Sequence, residues 1–160
     1  MKAFTVLIAE DDMLSRMILE RSVVQWGLQM VSAVDGTAAR EVLQNQNVDV
    51  CIFDWDMPGM TGIELCKWLR STESKAAPYV IMLTSNSRPE DVQTGYEAGA
   101  DDYVVKPGDL KYLRRKITAI AEKVCPQEKA ERQRSGAENA GLTPLDIHLS
   151  NARLLRRNES

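Results

Sequence analysis

An α/β protein built around a doubly wound parallel sheet, followed by a C-terminal tail, is what this sequence predicts. Short apolar runs alternate with stretches of helical spacing five times between residues 4 and 124, which is the pattern of βαβ units. The third and fourth runs are almost continuously apolar, as strands covered on both faces are. Acids, hydroxyls and a lysine follow the runs, at the carboxyl ends where open α/β sheets keep their functional crevice.

The first run is Phe4 to Ala9, with β-branched Thr5, Val6 and Ile8. Met13, Leu14, Met17 and Ile18 then recur at helical spacing and predict the apolar face of a first helix. Leu28 to Ala33 is the second run, and Ala39, Val42 and Leu43 mark a second helix. Val48 to Phe53 is the third run. Thr61 and Glu64 stand at capping-box spacing and open a helix through Leu65, Trp68 and Leu69. Tyr79 to Leu83 is the fourth run. Ser87 and Glu90 suggest another capping box, with Pro89 in the first turn where it is tolerated. Asp102 to Val105 is the fifth and shortest run, and Leu110, Leu113, Ile117, Ile120 and Val124 line one face of a last helix.

Bulk composition narrows the function classes. The 160 residues leave room for one ordinary domain and an appendage. A chain that is 44% hydrophobic and 27% charged can fold around a core. A formal net charge of −3 gives no general reason to expect nucleic acid or an anionic membrane as partner. Met1 to Glu10 does not read as a secretory signal, and no run approaches the roughly 18 apolar residues of a membrane span. A cytoplasmic location is expected. Cys51, Cys66 and Cys125 fit neither a metal knuckle nor a closed disulfide framework, and Cys51 reads as core. His148, the single histidine, stands in a polar stretch and reads as a surface residue rather than a catalytic one.

The polar residues gather on one rim of the predicted sheet. Glu10, Asp11 and Asp12 follow the first strand, Asp54 and Asp56 the third, Thr84, Ser85 and Asn86 the fourth, and Lys106 the fifth. With strands one and three adjacent, Glu10, Asp11 and Asp54 meet. Facing carboxylates repel and raise one another's pKa. Magnesium, a hard ion that takes oxygen ligands, relieves that cost and neutralises an incoming phosphoryl group. Lys106 adds a point charge and Thr84 a hydroxyl donor, which completes the requirements of aspartyl-phosphate chemistry. Taken singly, each has a plainer reading: acids after strands cap helices, as Asp12 is expected to do, threonines occupy turns, and lysines are solvated. The specificity lies in the whole set falling at the correct strand ends.

The sequence resembles the receiver domain of bacterial two-component response regulators. The likeness runs through Leu7-Ile8-Ala9-Glu10-Asp11-Asp12, Phe53-Asp54-Trp55-Asp56-Met57-Pro58-Gly59-Met60-Thr61-Gly62, Met82-Leu83-Thr84-Ser85 and Ala98 to Pro107, in register over about residues 3 to 124. The resemblance implies a flavodoxin-like fold with strand order 2-1-3-4-5. It implies Asp54 as phosphoacceptor, Glu10 and Asp11 as the acid pair holding Mg2+, and the Asp56 backbone carbonyl as a further ligand. Thr84 and Lys106 resemble the residues that grip the phosphoryl oxygens, and Tyr103 resembles the aromatic switch that turns inward on activation. A histidine kinase or histidine phosphotransfer protein is the implied donor. The fourth helix, fifth strand and fifth helix are the implied output face, for a homodimer or an output domain. Two positions depart from the family pattern. Gly108-Asp109 follow Lys106-Pro107 where an apolar residue is usual, and Asp56 is acidic where many relatives are neutral.

The expected function is therefore a phosphorylation-controlled switch that catalyses only its own phosphotransfer and dephosphorylation. The enzyme alternative is a phosphatase of the haloacid-dehalogenase type, which Asp54-Trp55-Asp56 also resembles. That family places its nucleophile after the first strand, whereas Asp54 follows the third. Residues 1–125 are expected to form the receiver domain. Residues 126–160 read as a linker or tail, because Pro126 ends the last helix and the polar stretch after it lacks the apolar surface to offset ordering. Leu145, Leu149, Ala152 and Leu155 allow a short amphipathic helix there.

Overall fold

The structure, a computed structural model, describes residues 3–72, 77–106 and 109–125. The expectations for the tail, including His148 and the helix after Pro144, lie outside the described residues. Five strands, β1 (Thr5–Ala9), β2 (Gln29–Ala33), β3 (Val50–Asp54), β4 (Tyr79–Thr84) and β5 (Asp102–Val105), alternate with five helices, α1 (Met13–Gln25), α2 (Gly36–Asn45), α3 (Gly62–Ser71), α4 (Pro89–Glu97) and α5 (Leu110–Val124). The strands form one sheet in the order β2-β1-β3-β4-β5, and every pairing is parallel. The predicted doubly wound sheet and its strand order are thus observed. A compact unit ends at Ala119, and α5 continues beyond it to Val124.

The order follows from burial. Every residue of β3 and all but the first of β4 are buried, which is possible only for central strands covered on both sides. Side chains alternate between the faces. Leu7, Cys51, Phe53, Val80 and Met82 join Leu65, Cys66 and Leu69 of α3 in one core cluster. Ile8, Ile52, Ile81 and Leu83 stand at the intervening positions and are equally buried, as are Leu19 and Val23 of α1 and Leu113 and Ile117 of α5.

Helix starts are set by local chemistry. Asp12 caps α1 by accepting the Ser15 N–H at 2.8 Å, and Asp35 caps α2 through Ala38 at 2.7 Å. At α3 the predicted capping box is complete: Thr61 accepts the Glu64 N–H, and the Glu64 carboxylate accepts the Thr61 N–H. The box expected from Ser87 and Glu90 does not form. Arg88 stands at the cap of α4 without a side-chain cap bond, and its guanidinium pairs instead with Asp91 at 3.0 Å. The residue before a proline is pushed out of the helical region, so Arg88 stays extended at φ −70° and ψ 144° and takes the cap position that the box would have given to Ser87.

The apolar face expected on α1 is the largest departure. Met13, Leu14, Met17 and Ile18 are 60%, 66%, 46% and 54% exposed, while Leu19 and Val23 are the residues this helix buries. Both sets recur at helical spacing, and spacing alone does not say which one the sheet takes.

Candidate functional site

Strand ends bring the predicted residues together. Glu10 and Asp11 lie just past β1, Asp54 ends β3, Thr84 ends β4 and Lys106 follows β5. The β1–β3 pairing places Ala9 opposite Phe53, so the acids after each strand are neighbours. Carboxylate oxygens of Glu10, Asp11 and Asp54 all lie within 4.8 Å of one another. Glu10 and Asp54 are buried, whereas Asp11 is exposed at the rim.

Lys106 holds the two buried acids. Its Nζ lies 2.7 Å from Glu10 Oε2 and 3.1 Å from Asp54 Oδ1. Its backbone N–H donates to the Thr84 carbonyl at 2.7 Å, which anchors the base of the side chain to β4. Burial and the Glu10 charge push the Asp54 carboxyl up to about 7, and Lys106 opposes them without cancelling them. Burial pulls the Lys106 ammonium down, but Glu10 and Asp54 outweigh it and leave its pKa above the ordinary lysine value. The rim thus carries more buried negative charge than one lysine neutralises.

This surplus is what a hard cation would remove. Oxygen donors are the set that Mg2+ prefers, and two carboxylates with room for water and phosphate oxygens suit its octahedral shell. Glu10 Oε2 is buried and, apart from its ion pair with Lys106, has no hydrogen-bond partner. Glu10, Asp11 and Asp54 fit the ion on this ground. Asp56 is exposed, two residues beyond Asp54.

Thr84 and Tyr103 form a second group. Thr84 is fully buried, and its hydroxyl oxygen accepts the Asn86 N–H at 3.0 Å. The Tyr103 hydroxyl donates to the Asn86 carbonyl at 3.0 Å, so the backbone of Asn86 is held at both its N–H and its carbonyl. The Tyr103 ring is half-buried and meets Trp55 edge-on, with centroids 6.3 Å apart. Burial raises its phenol pKa, with the Thr84 hydroxyl opposing.

Sequence reasoning overlooked several supporting residues. A Cβ on Gly62 would collide with the Asp54 carbonyl, so glycine is what lets α3 start against the end of β3; the Gly62 N–H donates to Trp55 O at 2.9 Å. A Cβ on Gly95 would come within 2.9 Å of the Tyr103 ring. Arg16 Nη1 donates to the Glu10 carbonyl at 2.8 Å and to the Asp11 carbonyl at 3.3 Å. Only Arg16 left a signal in the sequence, a cation near the positive pole of a helix, where the dipole disfavours it unless it has partners.

Comparison with known proteins agrees with this geometry. Residues 6–118 match the family model described as the response regulator receiver domain. The chemotaxis protein CheY of Pseudomonas aeruginosa is 35% identical over 120 residues, covering 74% of this chain and 97% of that protein. The transcriptional regulatory protein AfsQ1 of Streptomyces coelicolor is 32% identical over 142 residues, which are 89% of this chain and 59% of AfsQ1. The chain therefore spans little more than half the length of that regulator. Among solved structures, CheY4 of Vibrio cholerae aligns with a TM-score of 0.68 at 29% identity, covering 74% of this chain and 99% of CheY4. A chain from the co-crystal of the Saccharomyces cerevisiae histidine phosphotransfer signaling protein Ypd1 with the receiver domain of the response regulator Ssk1 aligns at 0.67 and 25% identity, covering 72% of this chain and 87% of that one. This chain belongs to the response regulator receiver domain family and to phosphorylation-dependent signalling. None of these relatives is a phosphatase, and Asp54 ends the third strand rather than the first.

Proposed function

We propose that this receiver domain is a switch that takes one phosphoryl group on Asp54. The observation that carries the reading is the Asp54 carboxylate, buried at the carboxyl end of the central strand between Glu10 and Lys106. In the transfer, a carboxylate oxygen of Asp54 forms a bond to phosphorus while the bond from phosphorus to a donor histidine nitrogen breaks, and that nitrogen leaves with the electron pair. A carboxyl pushed up to about 7 is a poor nucleophile at neutral pH while it keeps its proton. Mg2+ held by Glu10, Asp11, Asp54 and the Asp56 backbone carbonyl would favour the carboxylate and neutralise the arriving phosphoryl charge. Lys106 would then grip a phosphoryl oxygen. The Thr84 hydroxyl would move toward another to donate its proton, and the displacement of its oxygen would loosen the bond it accepts from the Asn86 N–H and bias Tyr103.

The donor is a histidine kinase or histidine phosphotransfer protein, and the chain turns over no other substrate. The exposed row of Met13, Leu14, Met17 and Ile18 supports this. It begins one residue after the acid rim, and an apolar surface of this kind marks a protein contact. The α4–β5–α5 face serves the output, whether homodimer or output domain. Residues 1–125 act as the receiver unit in the cytoplasm, with 126–160 as linker or partner-binding tail.

Incubation with Mg2+ and acetyl phosphate, read by intact mass, tests the acceptor. One phosphoryl group should be gained by the unaltered chain and none by Asp54→Ala; a gain that survives the substitution sinks the assignment. Ile18→Lys and Leu14→Lys should leave acetyl-phosphate labelling intact but slow transfer from a phosphorylated histidine phosphotransfer domain at least tenfold. Equal slowing of both donors would count against α1 as the docking helix.

A further inference from the structure

We infer that Arg16 is a positioning residue that aims the acid pair of the metal site; this rests on the proposed Mg2+ reading of the same rim. Arg16 sits in the N-terminal part of α1, where the helix dipole and free N–H groups disfavour a cation. Its guanidinium offsets that cost by donating from Nη1 to the carbonyls of Glu10 at 2.8 Å and Asp11 at 3.3 Å. Its Nε is 3.8 Å from the Glu20 carboxylate one turn further along, a long and weak pairing.

The choice of acceptor is the informative part. Lys106 takes carboxylate oxygens, which a cation also needs. Arg16 takes carbonyl oxygens and leaves the carboxylates free, while its charge still lies beside three acids. Further anchors of this strip are the Glu10 N–H on the Ala33 carbonyl at 3.1 Å, the Asp12 N–H on Glu10 Oε1 at 3.2 Å, and the Ser15 and Arg16 N–H groups on Asp12. Arg16 therefore orients the two peptide units from which the Glu10 and Asp11 side chains diverge. Asp11 is exposed and unconfined by packing, so its aim depends on that backbone. Removing a group that orients ligands typically costs about tenfold or more in metal affinity.

Isothermal titration with Mg2+ on the full chain, paired with urea unfolding in chelator, separates positioning from plain stability. Arg16→Gln keeps a donor and removes the charge and fork, and its Mg2+ affinity should fall about tenfold. Arg16→Lys keeps the charge and loses the paired geometry, and should show a smaller loss. Wild-type affinity in both folded variants overturns the inference, even if their unfolding midpoints drop. Should the glutamine variant fail to fold, the lysine variant decides: weakened Mg2+ binding by the folded protein supports the role, and unchanged binding overturns it. Absence of Mg2+ binding by the unaltered chain would sink the metal reading itself, and this inference with it.

Discussion

The two halves of the rim at the strand ends are built on different physics. On the β1–β3 side, Glu10, Asp54 and Lys106 form a buried knot of charge, with Arg16 behind it and Asp11 at its mouth. On the β4–β5 side, Thr84, Asn86 and Tyr103 carry no charge and are joined by single hydrogen bonds. Moving a buried charge off its partner is expensive, whereas exchanging one neutral hydrogen bond for another costs about 1 kcal/mol. Under the proposed function, the first half would hold an ion and a phosphoryl group in fixed places. On the same proposal, the second would be soft enough to report their arrival, so that chemistry and signal would be separated by the strength of the bonds beneath them.

The largest effect should come from cutting the charged knot. Lys106→Met leaves Glu10 and Asp54 facing each other without a counter-charge, and unfolding free energy in chelator should fall by roughly 3 kcal/mol. Mg2+ should restore much of it. A loss under about 1 kcal/mol would show that the two acids already share a proton and that the knot is less charged than drawn.

A smaller effect should appear in the pH profile of the metal-free protein. Asp54 has its pKa raised from 3.8 to about 7 in the folded chain. Between those values the folded state binds a proton that the unfolded state releases, so stability is greatest below the lower value and is lost as pH rises toward the upper one. The decline between pH 5 and 8 should be about 2 kcal/mol once screening at the rim is allowed for. It should flatten in Asp54→Asn and in saturating Mg2+. A profile that slopes equally with and without Asp54 would assign the titration to another group.

On the neutral half, Gly95→Ala sharpens the comparison with the least change in stability. Alanine favours the helix by about 1 kcal/mol over glycine, while crowding the Tyr103 ring costs a similar amount. Unfolding midpoints should barely move. The Tyr103 ring should nevertheless swing away from Asn86, read as changed ring shifts in Tyr103 and changed Trp55 fluorescence. Unaltered signals from both would mean that Gly95 does not gate the ring.

Much of this molecule was legible along the chain. Residues at the end of a strand need no long-range information to be placed on a rim, so the order of the chain alone groups Glu10, Asp11, Asp54, Thr84 and Lys106. The near-continuous apolar runs of β3 and β4 marked them as central, because burial on both faces leaves no polar position. The Thr61–Glu64 box formed as read, since its partners are three residues apart. The same spacing at Ser87 and Glu90 did not form a box, because Pro89 holds Arg88 extended and starts the helix one residue too late for Ser87 to cap it.

What lay beyond the sequence concerns which of several chemically equal choices the packing makes. Two apolar rows run along α1, and a helix shows its period without showing its rotation. The sheet takes Leu19 and Val23 and leaves Met13, Leu14, Met17 and Ile18 outside, because one rotation about the axis must serve the whole helix. Lys106 could be aligned with the rim from sequence, but its reach to both Glu10 and Asp54 depends on three strands being brought together. The carbonyl partners of Arg16 and the place of the Tyr103 ring over Gly95 are of the same kind. Local order along the chain is written in spacing and capping. Contacts between elements depend on distances and angles that exist only once the sheet has closed the gaps between them.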